Sequence, residues 1–402
     1  MKPWLTIIGI GDDGLAGLTP AARSLVDVAE IIVGGARHRA MVPAGKAEWM
    51  EWRQPFSDSI NAINAHRGRR VVVLASGDPM WYGAGAILAR HFQRGEMSIL
   101  PHPGAFSLAA ARLGWAIADC VKLSLHGRPL DALRLHLSEG QRILILSEDG
   151  GTPAAVARVL TGIGWGPSRL TVLEHLGGVL EASHSVPAVE WGERRMADLN
   201  IIALECHAMP GTGGRSRLAG LPDDAFEHDG QLTKREIRAA TLASLAPLSG
   251  ENLWDVGAGC GSIAIEWLRA DEQLSAVAIE RDPVRAAIIA HNAAALGVPR
   301  LDIILGTAPA ALVGLPPPDA IFIGGGLTDP ELLPSLWQKL RSGGRLVANV
   351  ISTEGERALL DWQARRGGTL TRLAISRAEP LGAHLGWRAL APVTQLICVK
   401  PD

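Results

Sequence analysis

Short apolar runs alternate with longer mixed stretches along the whole chain, and this alternation predicts a regular succession of strands and helices. The runs are rich in β-branched residues, and most of them end in glycine or a polar residue. They occupy residues 4–10, 31–33, 70–75, 253–256, 276–279, 320–323 and 346–350. Continuous apolar strands separated by helical patterns are typical of parallel sheets covered on both faces. An α/β fold is therefore expected in both halves of the chain.

One stretch breaks this pattern. Residues 209–217 consist of glycine, proline and small polar residues without periodicity, which indicates a connector between two folded parts. A chain of 402 residues is also long for a single core. We therefore expect one domain over residues 1–208, a linker over 209–221 and a second domain over 222–402.

A glycine-rich turn follows the strand at 253–256 and is expected to open a helix over 262–269. Its residues are Gly257, Ala258, Gly259, Cys260 and Gly261. Glycines at alternate positions let the backbone approach a ligand, and the helix start directs free N–H groups at it. Glu280 ends the next strand, where an acid can accept hydrogen bonds from ribose hydroxyls. The turn therefore predicts a nucleoside cofactor. S-adenosylmethionine is favoured over a dinucleotide because Ser262 stands where the dinucleotide fingerprint has Gly or Ala; a purely structural turn is the third interpretation.

Composition limits the classes of partner. The chain is 47% hydrophobic and 20% charged with a net charge of -2, so no nucleic-acid partner is expected. Its four cysteines are widely spaced, which predicts neither a metal site nor disulfides and fits the cytoplasm. No apolar run reaches membrane-spanning length, so no membrane partner is expected. Only six of the 39 basic residues are lysine, and the others are arginine. Either coding bias explains this preference, or the guanidinium groups suit a substrate with several carboxylates.

Three loops in the first half resemble those of the tetrapyrrole (class III) methyltransferases, over roughly residues 1–205. The matching residues are Gly9, Gly11, Gly77, Asp78, Pro79, Gly104 and Ser107. The resemblance implies a two-lobed domain in which these loops line an S-adenosylmethionine cleft. The family often has Pro-Gly directly after the first Gly-x-Gly, where this chain has Asp12-Asp13. That departure puts the shape of the first loop in question.

The segment 124–128 also resembles part of the carbon-methylating corrin enzymes of that family. The resemblance makes His126 a candidate acid or base and Arg128 a candidate carboxylate clamp. The alternative for His126 is a structural histidine at the end of a strand. Trp81, Trp115 and Trp165 are expected to pack in the core or at an interface.

The second half resembles class I methyltransferases, and among them the precorrin decarboxylating methyltransferases. Besides the glycine turn, the resemblance rests on the segments 232–238, 305–309, 318–326 and 346–350. It implies a seven-stranded sheet completed by an antiparallel end, with strands over residues 370–376 and 393–399. It also implies that Thr233 closes over the cofactor and that Thr307 and Ala308 contact its adenine side. Arg235 and Arg238 are candidate carboxylate holders, Asn349 lies near the substrate, and His228 or His384 is a candidate proton donor. A structural alternative for Thr233 is a capping box with Glu236.

Together the halves resemble the fused precorrin-6Y C-methyltransferase family of cobalamin biosynthesis. The resemblance implies a two-lobed tetrapyrrole methyltransferase domain followed by a Rossmann-like class I methyltransferase domain. It implies two S-adenosylmethionine sites per chain, a tetrapyrrole substrate, methylation of meso carbons 5 and 15, decarboxylation of the ring C acetate, and a homo-oligomer. Three alternatives stay open: a cobalt-precorrin methyltransferase, an NAD-dependent oxidoreductase, and a non-catalytic tetrapyrrole-binding module.

Overall fold

A computed structural model describes residues 3–401. The chain divides into two compact units. Unit 1 comprises Met1–Leu130 and Ser138–Gly213, and unit 2 comprises Asp131–Leu137 and Gly214–Asp402. The main boundary therefore falls at Gly213, inside the stretch from which a linker is predicted.

The first lobe of unit 1 is a five-stranded sheet in the order β3-β2-β4-β1-β5, with all neighbouring strands parallel. Its strands are β1 (Leu5–Ile10), β2 (Ile31–Gly34), β3 (Glu48–Glu51), β4 (Val71–Ser76) and β5 (Met97–Leu100). Its helices are α1 (Pro20–Asp27), α2 (Ala36–Met41), α3 (Phe56–Ala65) and α4 (Ala84–Leu88). The next helix, α5 (Ala105–Leu113), packs instead in the apolar cluster of the second lobe. The interior strand β1 is buried along its whole length, because apolar clusters cover both of its faces. The prediction of a parallel sheet covered on both faces is confirmed here.

The second lobe of unit 1 is a mixed sheet in the order β6-β7-β10-β8-β9, in which only β6 and β7 are parallel. Its elements are β6 (Val121–Ser124), β7 (Arg142–Leu146), α6 (Thr152–Gly162), β8 (Arg169–Glu174), β9 (Ala182–Pro187) and β10 (Asn200–Glu205). The antiparallel strand β10 lies in the centre of this sheet. The expectation of a wholly parallel arrangement is therefore wrong for this lobe.

Unit 2 is built on a seven-stranded sheet in the order β13-β12-β11-β14-β15-β19-β16. Its elements are α7 (Arg235–Leu245), β11 (Asn252–Val256), α8 (Ser262–Ala270), β12 (Ser275–Glu280), α9 (Pro283–Ala295), β13 (Asp302–Leu305), β14 (Ala320–Ile323), α10 (Leu332–Lys339), β15 (Arg345–Val350), α11 (Thr353–Arg366), β16 (Thr369–Leu373), β17 (Ser376–Leu381), β18 (His384–Ala389) and β19 (Val393–Val399). The first five strands of the sheet are parallel, and β19 pairs antiparallel with both β15 and β16. This is the predicted class I arrangement with an antiparallel end.

Unit 2 departs from the sequence-based expectation at that antiparallel end. The predicted strand 370–376 stops at Leu373, and Ser376 begins a separate two-stranded hairpin of β17 and β18. Leu381, Leu385 and Trp387 on the hairpin are between 69% and 79% exposed. No hydrophobic alternation marks this hairpin as a half-buried sheet, so the sequence pattern missed it.

Unit 2 also includes a short segment from before residue 138. Within Asp131–Leu137, the Leu135 side chain is buried in the main apolar cluster of unit 2. A β-carbon on Gly297, whose φ is +81°, would lie 2.4 Å from the Leu135 backbone nitrogen. This close approach needs a glycine, and the predicted domain over residues 1–208 did not anticipate it.

Candidate active sites

Unit 2 contains a cavity of about 500 Å³ at the carboxyl ends of its parallel strands. Its wall combines the glycine turn after β11, the segment before α7, the glycine run after β14 and the end of β15. Of the predicted site residues, the wall includes Thr233, Gly257, Ala258, Gly259, Cys260 and Asn349. Ligands of open α/β sheets bind at this edge. The cavity is therefore the candidate site of unit 2.

The backbone of the glycine turn fits the close approach of a nucleoside cofactor. Gly257, Gly259 and Gly261 all have φ between +61° and +79°, a region that side chains rarely adopt. A β-carbon on Gly257 would lie 3.0 Å from the Gly325 nitrogen, and one on Gly261 would lie 2.8 Å from Ile289. Two of the glycines are therefore required by packing, whereas Gly259 faces open space beside Gln231.

Two acids flank the turn. Glu280, 5% exposed, accepts a hydrogen bond from the Gly259 N–H at 2.9 Å. Asp255 is fully buried; one of its oxygens accepts from the Ala264 N–H at 3.1 Å, and its Oδ1 has no partner among the described residues. Burial raises the pKa of the Asp255 carboxyl to about 7. Asp255 does not line the cavity, so its carboxyl supports the start of the following helix from behind the turn.

The segment before α7 places Thr233 and Lys234 on the cavity wall. The predicted capping box is wrong: Lys234 is the N-cap of α7 without a side-chain cap, and Glu236 pairs with Arg377 at 2.6 Å. The Thr233 side chain is therefore not used as a cap. The side chain of Lys234 is the one cationic group on this wall among the described residues, and the sequence interpretation missed it in favour of its neighbour.

Arg235 and Arg238 differ from the sequence-based expectation. Arg235 is exposed, and it is absent from the cavity wall. Arg238 is fully buried and donates to Glu266 at 2.7 Å and to the Thr233 carbonyl at 2.6 Å. Its guanidinium therefore holds the segment before α7 in place, and it is not available to a substrate carboxylate.

Asn349 is held by a buried polar network. Its Nδ2 donates to Thr241 Oγ1 at 2.8 Å, and its Oδ1 accepts from Gln395 Nε2 at 2.9 Å. Thr241 in turn donates to the Ile237 carbonyl at 2.7 Å. An amide nitrogen carries two hydrogens and an amide oxygen two lone pairs. Asn349 thus keeps one donor and one acceptor for a molecule in the cavity, in a fixed orientation.

The remaining predicted residues of unit 2 lie outside the cavity wall. Thr307 and Ala308 follow β13, whose end is joined to the end of β12 by the Gly306 N–H and the Glu280 carbonyl at 2.9 Å. Gly261, the last residue of the turn, and Glu280 do not line the cavity. His228 accepts from the Gly230 N–H, and His384 lies on the exposed hairpin strand β18. Neither histidine is on the cavity wall.

Unit 1 contains a larger cavity, of about 1230 Å³, lined by residues of both of its sheets. Of the predicted site residues, its wall includes Gly11, Gly77, Asp78, Gly104, Ser107 and His126. Gly9 and Pro79 adjoin it without lining it. Arg128 lies on the wall as well. The three resembling loops and the segment 124–128 are therefore brought together around one space.

Glycine at the three loops is required by their contact with each other. A β-carbon on Gly9 would lie 2.2 Å from the Gly77 carbonyl oxygen. One on Gly77, whose φ is +61°, would lie 2.8 Å from the Gly104 α-carbon. The three backbones pack directly on one another, and this contact forms the floor of the cavity. Asp78 closes its own loop by accepting the Met80 N–H at 2.8 Å.

The Asp12-Asp13 departure produces a polar cluster on the same wall. Asp12 accepts from Arg37 at 3.0 Å and lies 3.0 Å from His175 Nδ1. Ser76 Oγ accepts from Arg37 at 2.6 Å and lies 3.1 Å from His38 Nε2. Burial, reinforced by the charge of Arg37, lowers the pKa of His38 to about 4. Sequence patterns could not find this cluster, because its members come from four separate segments.

The tryptophans divide between core and cavity. Trp165 is 3% exposed and Trp115 packs against an apolar cluster, as expected. Trp81 is 48% exposed and lines the cavity beside Tyr82, so core packing is wrong for this residue. Its indole contacts Phe106 edge to face, with 5.8 Å between ring centroids.

Residues 3–401 lack two kinds of feature, a membrane-spanning helix and a cluster of metal-binding side chains. No helix in this range is long and apolar enough to cross a membrane. No group of three or more His, Cys, Asp or Glu side chains in the same range is arranged to hold a metal ion.

Comparisons with known proteins agree along both halves. Residues 4–181 match the family model described as Tetrapyrrole (Corrin/Porphyrin) Methylases, and residues 224–400 match the one described as Precorrin methyltransferase domain. A Sinorhizobium protein named precorrin-6Y C(5,15)-methyltransferase [decarboxylating] is 49% identical over 98% of this chain and 96% of its own length.

Two Salmonella typhimurium proteins each match less than half of the chain. One, named cobalt-precorrin-7 C(5)-methyltransferase, is 32% identical over 46% of this chain and 90% of its own length. The other, named cobalt-precorrin-6B C(15)-methyltransferase (decarboxylating), is 33% identical over 42% of this chain and 90% of its own length.

Proposed function

Since the chain belongs to the precorrin-6Y C(5,15)-methyltransferase family, we propose that its two units are separate catalytic centres that act on one corrin precursor. The chain is a decarboxylating, S-adenosylmethionine-dependent C-methyltransferase of cobalamin biosynthesis, whose substrate is a tetrapyrrole. The proposal concerns the number of sites and the division of the chemistry between them.

One observation carries the proposal of two sites. Each unit has its own cavity, of about 1230 Å³ in unit 1 and about 500 Å³ in unit 2. Each cavity is bounded by glycine loops at the carboxyl ends of a parallel sheet, but the loops are built differently. A single cofactor site would leave one of the two cavities without a function.

We assign methylation of carbon 5 to unit 1, and methylation of carbon 15 with decarboxylation to unit 2. The support is that two half-length relatives are named separately for the C(5) and the decarboxylating C(15) reactions. Unit 1 corresponds to the tetrapyrrole methylase match and unit 2 to the precorrin methyltransferase match. The fused chain would then place both reactions on one polypeptide.

The chemistry needs positioning and the movement of protons. S-adenosylmethionine supplies an electrophilic methyl group, and transfer to a meso carbon that bears hydrogen releases one proton. Loss of carbon dioxide from an acetate takes up one proton and leaves a methyl group. Holding the reacting atoms in line provides much of the catalysis, and a cavity that excludes water suits a step in which the sulfonium charge disappears.

In unit 2, Lys234 and Asn349 are the side chains best placed to orient the substrate. The Lys234 ammonium can pair with the acetate carboxylate, and the fixed amide of Asn349 can hydrogen-bond at a second point. Thr233 and the turn from Gly257 to Gly261 would hold the cofactor, with Glu280 for its ribose. Arg235 remains a candidate catalytic residue, although it lies outside the cavity wall.

In unit 1, the three packed glycine loops would hold the cofactor. Gly11, Asp78 and Ser107 present polar groups to the same space as His126. His126 is exposed and makes no hydrogen bond to another described side chain. It is therefore available as the group that removes the meso proton.

Titration calorimetry with S-adenosylhomocysteine tests the proposal of two sites. We expect a stoichiometry of two per chain, and no tight binding of NADH. A stoichiometry of one would contradict the proposal, whichever unit holds the ligand.

Two of the alternatives raised by the sequence can now be weighed. Family membership decides against the NAD-dependent oxidoreductase that the glycine turn left open. The full-length relative is named for a precorrin and the half-length ones for cobalt-precorrins. We therefore propose the precorrin without cobalt as the substrate.

We also propose that the chain forms a homo-oligomer in the cytoplasm. The exposed apolar side chains Leu381, Leu385 and Trp387 on the β17–β18 hairpin support self-association. The four cysteines are all free and buried, which suits a reducing compartment. Light scattering on the purified chain tests the assembly, and a monomeric mass would contradict it.

A further inference from the structure

Tyr82 stands out in the backbone of unit 1. It is the only tyrosine of the chain, and its φ is +54°, an outlier for a bulky side chain. The residues after it pack closely on Pro79: β-carbons on Gly83 and Gly85 would lie 2.6 and 2.8 Å from the Pro79 carbonyl oxygen and side chain. Backbone strain that the surrounding structure imposes is concentrated at binding and catalytic sites.

The turn presents two aromatic rings to the cavity. Trp81 and Tyr82 are each 48% exposed, and both line the cavity of unit 1. Both rings contact the buried Phe106, at centroid separations of 5.8 and 6.3 Å. The aromatic side chains are thus supported from behind, while about half of each side chain stays open to a molecule in the cavity.

Arg128 lies over the Tyr82 ring, with 4.8 Å between its guanidinium carbon and the ring centroid. Five other arginines in the described part of the chain lie over aromatic rings, and each also bonds to a carboxylate or a histidine. Arg128 has no salt bridge or side-chain hydrogen bond within residues 3–401. Stacking fixes the plane of its guanidinium and leaves the N–H groups free.

A fixed guanidinium with free donors is suited to bind a carboxylate through two parallel hydrogen bonds. The aromatic rings beside it are suited to the apolar rim of a large conjugated ring. We infer that Tyr82 and Arg128 form a substrate subsite in unit 1, in which Arg128 binds a peripheral carboxylate of the macrocycle and Tyr82 holds Arg128 in place. This inference rests on the proposed function, because the macrocycle is the substrate named there.

The test measures the carbon 5 methylation rate as a function of precorrin-6B concentration, with carbon 15 methylation in the same reaction as an internal reference. Arg128→Gln should raise KM at the carbon 5 step about tenfold, with kcat within about twofold. Arg128→Lys should give a smaller increase, because the charge remains and the planar fork is lost. Binding of S-adenosylhomocysteine should not change.

The chain offers a matched control. Arg142 lies over Trp115 at 5.0 Å but pairs with Glu205 and does not line the cavity. Arg142→Gln should leave both methylations unchanged. Tyr82→Phe should retain activity, whereas Tyr82→Asn, which tolerates a positive φ, should raise KM as Arg128→Gln does.

The outcomes separate this inference from the function it rests on. Equal KM values for Arg128→Gln and Arg142→Gln would overturn the inference, and so would an effect on cofactor binding alone. If the unaltered chain adds no methyl group at carbon 5, the proposed function fails. In that case the subsite is tested by anaerobic binding of precorrin-6B, measured through tryptophan fluorescence. About tenfold weaker binding in Arg128→Gln alone supports the subsite, and unchanged binding overturns it.

Discussion

The carboxylate of Glu280 is tied to the backbone of Gly259, whose N–H lies 2.9 Å from Oε2. The other oxygen accepts the N–H groups of Arg281 and Asp282, at 2.9 and 3.0 Å. One side chain at the end of β12 thereby fixes the middle of the glycine turn after β11. Two N–H groups take both lone pairs of Oε1, whereas Oε2 keeps a second lone pair and can still accept a hydrogen bond from a ribose hydroxyl.

Glu280→Ala should therefore impair one methylation and spare the other. The substitution leaves three backbone N–H groups of the cofactor site without their acceptor. We expect the free energy of cofactor binding to weaken by about 1.5–3 kcal/mol, which corresponds to roughly 10- to 100-fold weaker binding in unit 2. We expect carbon 15 methylation to fall and carbon 5 methylation to persist, as measured by mass spectrometry of the product. Asp302→Ala is the control. Asp302 begins β13, far from the carboxyl end of that strand, so its substitution should change neither methylation. Loss of both methylations would contradict separate sites.

Sequence patterns predicted the elements whose residues are local and periodic. Thr19 followed by Pro20, for example, is a typical start of a helix, and Thr19 is the N-cap of α1, with its side chain accepting the Ala22 N–H at 3.2 Å. The glycine spacing likewise located the turn at Gly257. Both features depend on neighbouring residues, so a local pattern suffices.

The sequence interpretation failed where distant segments decide the environment of a side chain. The 232–238 motif made Arg235 and Arg238 candidate carboxylate holders. Arg238 is buried against Glu266 and Arg235 is exposed to solvent, so neither lines the cavity. Lys234, directly before Arg235 in the chain, lines the cavity. The pairing of Asp12 with His175 spans 163 positions, which no motif could reveal.

The buried carboxyl of Asp255 predicts a dependence of stability on pH. Burial raises its pKa from the ordinary value of 3.8 to about 7 in the folded state. The folded state thus holds its proton more tightly, so this stabilisation is complete below pH 4 and is lost as the pH rises to about 7. Asp255→Asn should therefore raise the Tm of the unit 2 transition more at pH 8 than at pH 5, measured by calorimetry. An equal change in Tm at pH 5 and pH 8 would contradict the raised pKa of Asp255.

The buried pair of Arg238 and Glu266 predicts a large loss of stability when it is broken. Both side chains are at most 2% exposed, and their nitrogen and oxygen lie 2.7 Å apart. Arg238→Met should lower the free energy of unfolding by about 3–5 kcal/mol, because Glu266 is left charged and buried. Arg388→Met breaks an exposed pair with Glu379 and should cost less than about 1 kcal/mol. Similar losses in the two variants, measured by denaturant unfolding, would sink the argument.

The network behind Asn349 predicts a selective effect on unit 2. Thr241→Val keeps the shape of the side chain but removes the oxygen that accepts from both Asn349 and Gln395. We expect a loss of about 1–3 kcal/mol in stability and a lower rate of carbon 15 methylation, with the carbon 5 rate unchanged. Ser244→Ala is the control, because it removes the bonds of Ser244 to Gln395 at 3.0 Å and to the Ala240 carbonyl at 2.9 Å and leaves both bonds of Asn349 in place. A carbon 15 rate equal to that of the unaltered chain would show that Asn349 needs no such support.

The central claim is that one chain carries out two methylations and one decarboxylation at two sites. The most direct measurement is mass spectrometry of the product formed from precorrin-6B and deuteromethyl-labelled S-adenosylmethionine by the purified full-length chain. The account predicts a product with two labelled methyl groups, at carbons 5 and 15, and without the carboxyl of the ring C acetate. A single labelled methyl group, or two with the acetate retained, would contradict it.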